Sequence, residues 1–190
     1  MSRCEKLLYS SKSSGCSRCS GCSGALFDRT GRYRYSLWRE WSTDHPRVVF
    51  VMLNPGTADE QRNDPTISRC ISFAHAWGFG SVEVVNLFAY RTSYPVELFK
   101  QPDPIGEEND RFLVQALERA ACIVAAWGAK GTLLGRDQYI SQLLAHRHDV
   151  YCFGTTKGGH PRHPLYMKGD TSLVAFGALS RGCICEGEIV

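Results

Sequence analysis

Residues 48–70 read VVFVMLNPGTADEQRNDPTISRC, and this stretch decides the fold class. The apolar run over residues 47–53 is typical of a strand that is buried on both faces of a parallel sheet. The run stops at residues 54–56, Asn-Pro-Gly, and a polar loop follows. Asp64 is a preferred helix N-cap, and Pro65 fits the first helical position. The stretch therefore predicts a buried strand, a surface loop and a helix, in that order.

Strands and helices alternate along the rest of the chain. We predict further strands at 81–88, 122–127 and 149–154, with helices over residues 106–120 and around Ile140. Such alternation implies right-handed crossovers and a parallel sheet that is covered on both faces. The predicted fold class is α/β, a three-layer α/β/α domain with a four-stranded parallel sheet.

A β-hairpin is expected before the first of these strands. Residues 25–38 read ALFDRTGRYRYSLW, which is two alternating stretches around an Asp-Arg-Thr-Gly turn. We expect one domain over residues 25–176. The flanking segments are expected to be a Cys/Ser/Gly-rich tail over residues 1–24 and a C-terminal tail over residues 177–190.

The composition is that of an ordinary globular chain, with 43% hydrophobic and 22% charged residues in 190. No apolar run is long enough for a membrane span, and the N-terminal residues lack an apolar segment of signal-peptide length. The sequence therefore predicts a cytoplasmic protein without a membrane partner. The net charge of +3 permits a nucleic-acid partner but does not require one.

Polar or glycine-rich residues follow each predicted strand. In a parallel sheet the ligand lies outside the carboxyl ends of the strands, so these residues are expected at one edge of the domain. They are Asn54 to Gly56, Asn86 with Arg91, Trp127 with Gly128, and residues 155–168.

The first of these groups offers several candidate roles. Asn54 can hold a water or a ligand but is a poor base, because its amide is neutral. Pro55 fixes the backbone and Gly56 permits close approach of a ligand, although the same residues also suit a simple turn. Asp59 is a candidate base or a solvated loop acid, whereas Asp64 is expected to act first as a helix cap. The loop between them is expected to form a flexible lip.

The later groups indicate a base-bearing and phosphate-bearing ligand. Asn86 can present a donor and an acceptor to a base edge, or it can tie down a neighbouring loop. Residues 160–164 contain two His-Pro pairs, and a histidine can donate to a developing anion. Cations nearby favour a phosphate; they are Lys157, Arg162 and Lys168, with Arg91 after the second strand.

Taken in order, these motifs resemble the uracil-DNA glycosylase superfamily over about residues 47–168. The resemblance implies a four-stranded parallel sheet between helices. It also implies that Asn54 positions the attacking water, that Asn86 reads the flipped base, and that His163 stabilises the departing base. The strand that ends in Trp-Gly at Trp127 belongs to the same series, and the wedge after His163 corresponds to Leu165 and Tyr166.

A second resemblance is stronger and covers most of residues 24–176. The segments MLNPGTAD, DPTISRC, VVNLFAYR and RHPLY are similar to an uncharacterised bacterial domain family of unknown function, which brings no assigned activity. The chain departs from the glycosylase pattern at two points. Position 54 has no Asp, and Gly56 stands where the strict uracil enzymes carry a bulky aromatic side chain.

The predicted function is N-glycosidic bond hydrolysis, or binding, at a nucleobase in nucleic acid. Two alternatives remain: an enzyme that processes a free nucleoside or nucleotide, and a non-catalytic nucleotide or nucleic-acid binding module. No cofactor is required for these roles. Cys16, Cys19 and Cys22 form a C-x2-C-x2-C series that suits an iron–sulfur cluster or zinc, or that belongs to a tail without metal.

Overall fold

The computed structural model describes residues 8–9 and 22–177. Strands of this part of the chain form one mixed sheet in the order β1-β2-β3-β5-β4-β6-β7-β8. The strands are β1 (Leu8–Tyr9), β2 (Cys22–Asp28), β3 (Arg34–Glu40), β4 (Arg47–Met52), β5 (Ser81–Asn86), β6 (Cys122–Ala125), β7 (Val150–Cys152) and β8 (Val174–Ala175).

The middle of the sheet contains the four strands that the sequence predicts. β5, β4, β6 and β7 are neighbours in that order and run parallel to one another. They do not form a sheet of their own, which corrects the expectation of a four-stranded parallel sheet. β3 pairs antiparallel with β5, and β8 pairs antiparallel with β7. The sequence did not predict β8, because a strand of two residues is too short to show an alternating pattern.

The predicted hairpin is present as β2 and β3, which pair antiparallel. Its turn is stabilised by Asp28, whose carboxylate accepts hydrogen bonds from the backbone N–H groups of Thr30 and Tyr33. Because β3 joins β5, the hairpin extends the central sheet. The turn also pairs with the segment after β5 through an isolated bridge between Tyr33 and Tyr90.

Helices cover both faces of the sheet. They are α1 (Pro65–Ala76), α2 (Asn109–Arg119) and α3 (Arg136–Leu144), with short 3₁₀ helices at Pro95–Lys100, Ala129–Gly135 and Pro164–Tyr166. On one face, α1 packs through Ile67 and Phe73 against alternate residues of β4, such as Phe50. On the other face, α2 and α3 pack against the intervening residues of the same strands, such as Val51. The described residues contain no helix with the length and hydrophobicity needed to cross a bilayer.

The start of α1 follows the prediction closely. Asp64 is the N-cap, and its side chain accepts a hydrogen bond from the backbone N–H of Ile67. Pro65 occupies the first turn, where its missing N–H costs nothing. Gly78, with φ of 78°, follows the helix in the left-handed region that favours glycine. These local signals fix where α1 begins, and therefore where the loop from β4 must end.

Candidate functional site

The loop between β4 and α1, residues 53–64, is anchored on several sides and is not a free lip. Arg39 of β3 is buried and donates from Nε to Asn63 Oδ1 at 2.9 Å and from a terminal nitrogen to the Asp59 carbonyl at 2.6 Å. Arg34 donates to the Ala58 carbonyl at 2.9 Å. Two arginines, near opposite ends of β3, therefore hold the loop through its backbone and one amide side chain.

Asp64 lies at the inner end of this loop. Its Oδ1 accepts from Ile67 N at 2.9 Å, and its Oδ2 accepts from Ala58 N at 3.4 Å. A Cβ atom built on Gly56 would lie 2.8 Å from the same Oδ2. Any side chain at position 56 would therefore displace the Asp64 carboxylate. Gly56 is not in the left-handed region, so space beside Asp64 is what excludes a side chain there.

Asn54 lies two residues after the end of β4 and has a fixed orientation. Its Nδ2 donates to the carbonyl of Thr92 at 2.7 Å and to that of Pro55 at 3.1 Å. Thr92 N in turn donates to the Pro55 carbonyl at 3.0 Å, which joins the two strand exits. Within the described residues, Asn54 Oδ1 accepts no hydrogen bond. The carboxamide therefore keeps an acceptor for a water or a ligand.

Asn86 ends β5, and its Cα is the register partner of Met52 in β4. By strand alternation its side chain points to the same face as Val84, the face that α1 covers. The residue is 1% exposed, and its Oδ1 is buried with no hydrogen-bond partner in the described part of the chain. A buried acceptor without a donor costs about 1–3 kcal/mol. A ligand that presents an N–H group would remove that cost.

His163 lies between β7 and β8, directly before the 3₁₀ helix Pro164–Tyr166. Its Nδ1 accepts a hydrogen bond from Leu165 N at 3.3 Å. Burial lowers the pKa of His163, and the nearby negative charge of Asp64 opposes that shift. The ring is therefore neutral at neutral pH, and since Nδ1 accepts, the proton is on Nε2. This Nε2–H is a donor that the imidazole can offer to a ligand.

We call Asn54, Asp64, Asn86 and His163 the strand-exit site. The segment that carries His163 is held against α1 because Arg69 donates to the carbonyl of Met167. Arg34 adds a buried positive charge nearby: burial lowers its pKa to about 10, and Asp64 raises it. Arg34 therefore stays protonated at neutral pH beside a carboxylate. The site combines one carboxylate, one neutral imidazole and two carboxamides, which suits proton transfer and hydrogen-bond recognition.

A cavity of about 520 Å³ lies beside this site. We call it the arginine cleft; it is lined by residues 31–32, 56–57 and 90–93. Its shared wall is Gly56, which abuts Asp64, and Thr92, whose carbonyl holds Asn54. Arg91, one of the predicted phosphate ligands, lies in the cleft.

The other predicted site residues are placed differently. Asp59 accepts the backbone N–H groups of Gln61 and Arg62 and so forms part of its own turn. Trp127 is 2% exposed and lies in the core of the opposite face, with α3. The structure thus does not bring either residue to the strand-exit site. The physical reason for Trp127 is that residues 122–127 alternate, which turns its ring away from α1.

The remaining predicted residues lie at the surface or outside the described chain. Lys157, Arg162 and Lys168 are exposed, and Arg162 donates to the carbonyl of Thr155. The wedge residues Leu165 and Tyr166 are 40% and 83% exposed. Cys16 and Cys19 lie outside the described residues, Cys22 is exposed at the start of β2, and the described residues contain no cluster that could hold a metal ion.

Sequence reasoning missed the roles of Arg34 and Arg32. In the alternating stretch RYRYSLW, charged residues at every second position are typical of a solvent-facing side, so alternation does not predict the burial of Arg34. Arg34 is buried because the loop from β4 covers that side of β3. The sequence signal that could have predicted this burial is the number of arginines in β3, compared with the three acids in the loop that follows β4.

A scan against protein-family models finds one match, over residues 34–165. It is to the family described as "Protein of unknown function (DUF1643)", and the match spans more than half of the 190 residues. The chain belongs to this family. The matched range contains the whole of the strand-exit site and six of the eight residues that line the arginine cleft; Gly31 and Arg32 precede it. Neither the curated proteins nor the solved structures include a match.

The lowered pKa of His163 predicts a loss of stability on mild acidification. The unfolded histidine titrates near 6.5 and folded His163 titrates below it, so the unfolded chain takes up the proton first. The stabilisation is complete above the unfolded pKa and is lost as the pH falls toward the folded pKa. On going from about pH 7.5 to about pH 5.5, the melting temperature should fall less in His163→Gln than in the wild type. Equal falls in thermal denaturation would show that His163 is not buried as described.

Proposed function

We propose that the protein binds a nucleobase at the strand-exit site and hydrolyses the N-glycosidic bond that joins this base to its sugar. The observation that carries the proposal is the buried Oδ1 of Asn86, which has no partner in the described residues. It lies at the carboxyl edge of parallel strands, where α/β proteins bind ligands. The ring N–H of a nucleobase has the donor that this oxygen lacks.

In the proposed reaction, each polar group of the strand-exit site has one role. Asn54 Oδ1 orients a water toward the anomeric carbon of the sugar, and Asp64 accepts the proton of that water as its oxygen attacks. The C–N bond breaks, and its electron pair goes to the base. His163 donates from Nε2–H to a carbonyl oxygen of the base, where the negative charge develops. General-base assistance of this kind contributes about 10²–10⁴-fold.

Exposed side chains next to His163 support a substrate within a nucleic-acid strand. Tyr166 is 83% exposed and Leu165 is 40% exposed, although both are apolar or aromatic. An enzyme that acts on a base must take the base out of the stack, and a protruding apolar side chain can fill the gap. The resemblance of the motifs to the uracil-DNA glycosylase superfamily supports the same substrate class, as an analogy.

One observation favours a second candidate function, which is binding without turnover. Both oxygens of Asp64 already accept backbone hydrogen bonds, from Ile67 and Ala58. A carboxylate that serves as a helix cap in this way is a weaker acceptor for a water proton. In that case the same pocket would recognise a base and release it unchanged.

A thermal-stability screen tests recognition directly. Free nucleobases, nucleosides, nucleotides and short single-stranded DNA are added to the whole protein, and melting curves are recorded. A ligand at about a hundred times its dissociation constant should add roughly 2.7 kcal/mol to the free energy of unfolding. If every base-bearing compound leaves the curve unchanged, both candidate functions fail. Stabilisation by nucleosides alone would favour a free-nucleoside substrate over nucleic acid.

Asn86→Leu is expected to raise stability and to abolish recognition. The change removes the buried acceptor that lacks a partner, so the free energy of unfolding should increase by about 1 kcal/mol. Urea denaturation measures the stability, and the same ligand screen measures recognition. Asn109→Leu is the matched control: Asn109 is equally buried and its Oδ1 also lacks a partner among the described residues, but its Nδ2 donates to the carbonyls of Asn86 and Leu87, and the variant loses both bonds. The control should lose about 2 kcal/mol. Loss of stability in Asn86→Leu would indicate that this side chain is already satisfied in the free protein.

A further inference from the structure

We propose that the arginine cleft is a phosphate-binding subsite, formed by Arg32 and Arg91, for the phosphate group of the ligand whose base lies in the strand-exit site. The inference rests on the proposed function for the identity of that ligand. The recognised chemistry is a phosphate monoester or diester, from either a free nucleotide or a nucleic-acid backbone.

The charge of the residues that line the cleft favours an anion. Two arginines line the cleft and no carboxylate does. Neither Arg32 nor Arg91 forms an ion pair within the described residues, although eight other pairs are present there. The Asp59 carboxylate is close enough to Arg91 to interact with it electrostatically, but it does not line the cleft, so a bound anion would further offset the repulsion between the two guanidinium groups. Guanidinium groups also bind phosphate in a bidentate geometry.

Both guanidinium groups are positioned before any ligand binds. Arg91 donates to the Gly31 carbonyl at 3.0 Å, and its guanidinium lies 4.7 Å from the centre of the Phe27 ring. Arg32 lies over the ring of Tyr90, with its guanidinium carbon 5.6 Å from the centroid. Arg91 N donates to the carbonyl of Arg32 at 2.9 Å. The hairpin turn is thereby joined to the exit of β5, which brings the two cations to one cleft.

The cleft also offers neutral hydrogen-bond donors to a phosphate. Within the described residues, the backbone N–H groups of Gly56, Thr57 and Ser93 donate to no acceptor, and all three residues line the cleft. Thr57 and Ser93 add hydroxyl groups. Backbone N–H groups that converge on a concave surface form anion sites. Arg91 Nε is buried and without a partner, so it is a further donor that a phosphate oxygen could satisfy.

The position and the volume of the cleft suit the phosphate of a nucleotide. Gly56 and Thr92 separate the cleft from Asp64 and Asn54 by the thickness of one backbone segment. A volume of about 520 Å³ is within the range of small-molecule sites. A nucleotide can therefore place its base at the strand-exit site and its phosphate in the cleft. The sugar would lie over the outer edge of the shared wall, between the base and the phosphate.

The test measures the affinity of the whole protein for matched probes by calorimetry. The probes are inorganic phosphate, uridine, uridine 5′-monophosphate and a single-stranded oligothymidylate. The variants are Arg32→Gln and Arg91→Gln. Arg29→Gln is the control, because Arg29 is exposed in the same turn and carries the same charge, but lies at a different cavity. Since Arg91 also packs on Phe27, melting curves verify that its variant is folded, and Arg32→Gln gives the independent result.

We expect each variant to bind the phosphate-bearing probes about tenfold or more weakly than the wild type, with the affinity for uridine unchanged. For the oligothymidylate, the slope of log affinity against log salt should decrease in magnitude by about 0.7 for each arginine removed. Arg29→Gln should behave as the wild type. Tight binding of the mononucleotide alone identifies a free nucleotide as the source, whereas tight binding of the oligothymidylate identifies a nucleic-acid backbone.

Three results would overturn the subsite. They are phosphate affinities unchanged in both variants, an equal loss in Arg29→Gln, and no binding of any phosphate-bearing probe by the wild type. The proposed function fails under a different result. If phosphate binding depends on the arginines but is not affected by Asn86→Leu, and no base is released, the phosphate subsite stands and the glycosidic reaction does not.

Discussion

Asp64→Asn should lower the rate of base release by about 10²–10⁴-fold, in protein that remains folded but melts at a lower temperature than the wild type. The variant keeps the size of the side chain but cannot accept the proton of the attacking water. It also has one acceptor oxygen where Asp64 has two, and it removes the negative charge beside buried Arg34. Asn is as good an N-cap as Asp, so α1 should keep its start. The measurement is single-turnover release of the base, with a melting curve for each protein.

Asp59→Asn is the control for that comparison. Asp59 accepts the backbone N–H groups of Gln61 and Arg62 within its own turn, outside the strand-exit site. Its variant should release the base at the wild-type rate. A normal rate in Asp64→Asn would show that Asp64 is only a helix cap, and slow release in Asp59→Asn would return the role of base to the residue that the sequence suggested.

Arg39→Met is expected to lower the free energy of unfolding by about 3 kcal/mol. The change removes charge-assisted hydrogen bonds from Arg39 to Asn63 and to the carbonyls of Asp59 and Trp38. Methionine keeps most of the apolar stem, so the loss reports on the hydrogen bonds. Since the loop from β4 would lose this anchor, amide hydrogen exchange at residues 58–62 should accelerate more than exchange elsewhere.

Arg62→Met serves as the matched control, because Arg62 is an exposed arginine of the same loop. Its unfolding free energy should stay within about 0.5 kcal/mol of the wild type. If Arg39→Met unfolds with the same free energy as this control, the loop is held by other contacts, and the strand-exit site does not depend on β3.

The central strands and the first helix were predictable because their signals are local. The apolar run at 47–53 needs burial on both faces, and Asp64 with Pro65 marks a helix start. The pairing of β3 with β5 was not predictable from such signals. Ser36 and Glu83 illustrate the reason: the Ser36 hydroxyl donates to the buried carboxylate of Glu83 across strands that are distant in the sequence.

The candidate site was predictable in part. Asn54 and Asn86 lie at or just after the ends of their strands, and His163 follows the last of the four parallel strands, so the edge rule indicates all three. Asp64 could not be distinguished from a cap by sequence, because a cap and a base use the same carboxylate. Arg34 could not be placed either, since its burial depends on a loop that folds over β3. Contacts of this kind arise from tertiary packing, and no periodicity encodes them.

The release of a free base is the most direct test of the proposed hydrolysis of an N-glycosidic bond. Single-stranded and duplex DNA that contain uracil, hypoxanthine or modified pyrimidines, together with the matching nucleosides, are incubated with excess protein. Products are separated by chromatography, and strands are cleaved at abasic sites by alkali. We expect a free base and its abasic or sugar product from at least one substrate, with release slowed in both Asp64→Asn and His163→Gln. The absence of any free base from every substrate, in protein that the same compounds stabilise against heat, would contradict the hydrolytic function.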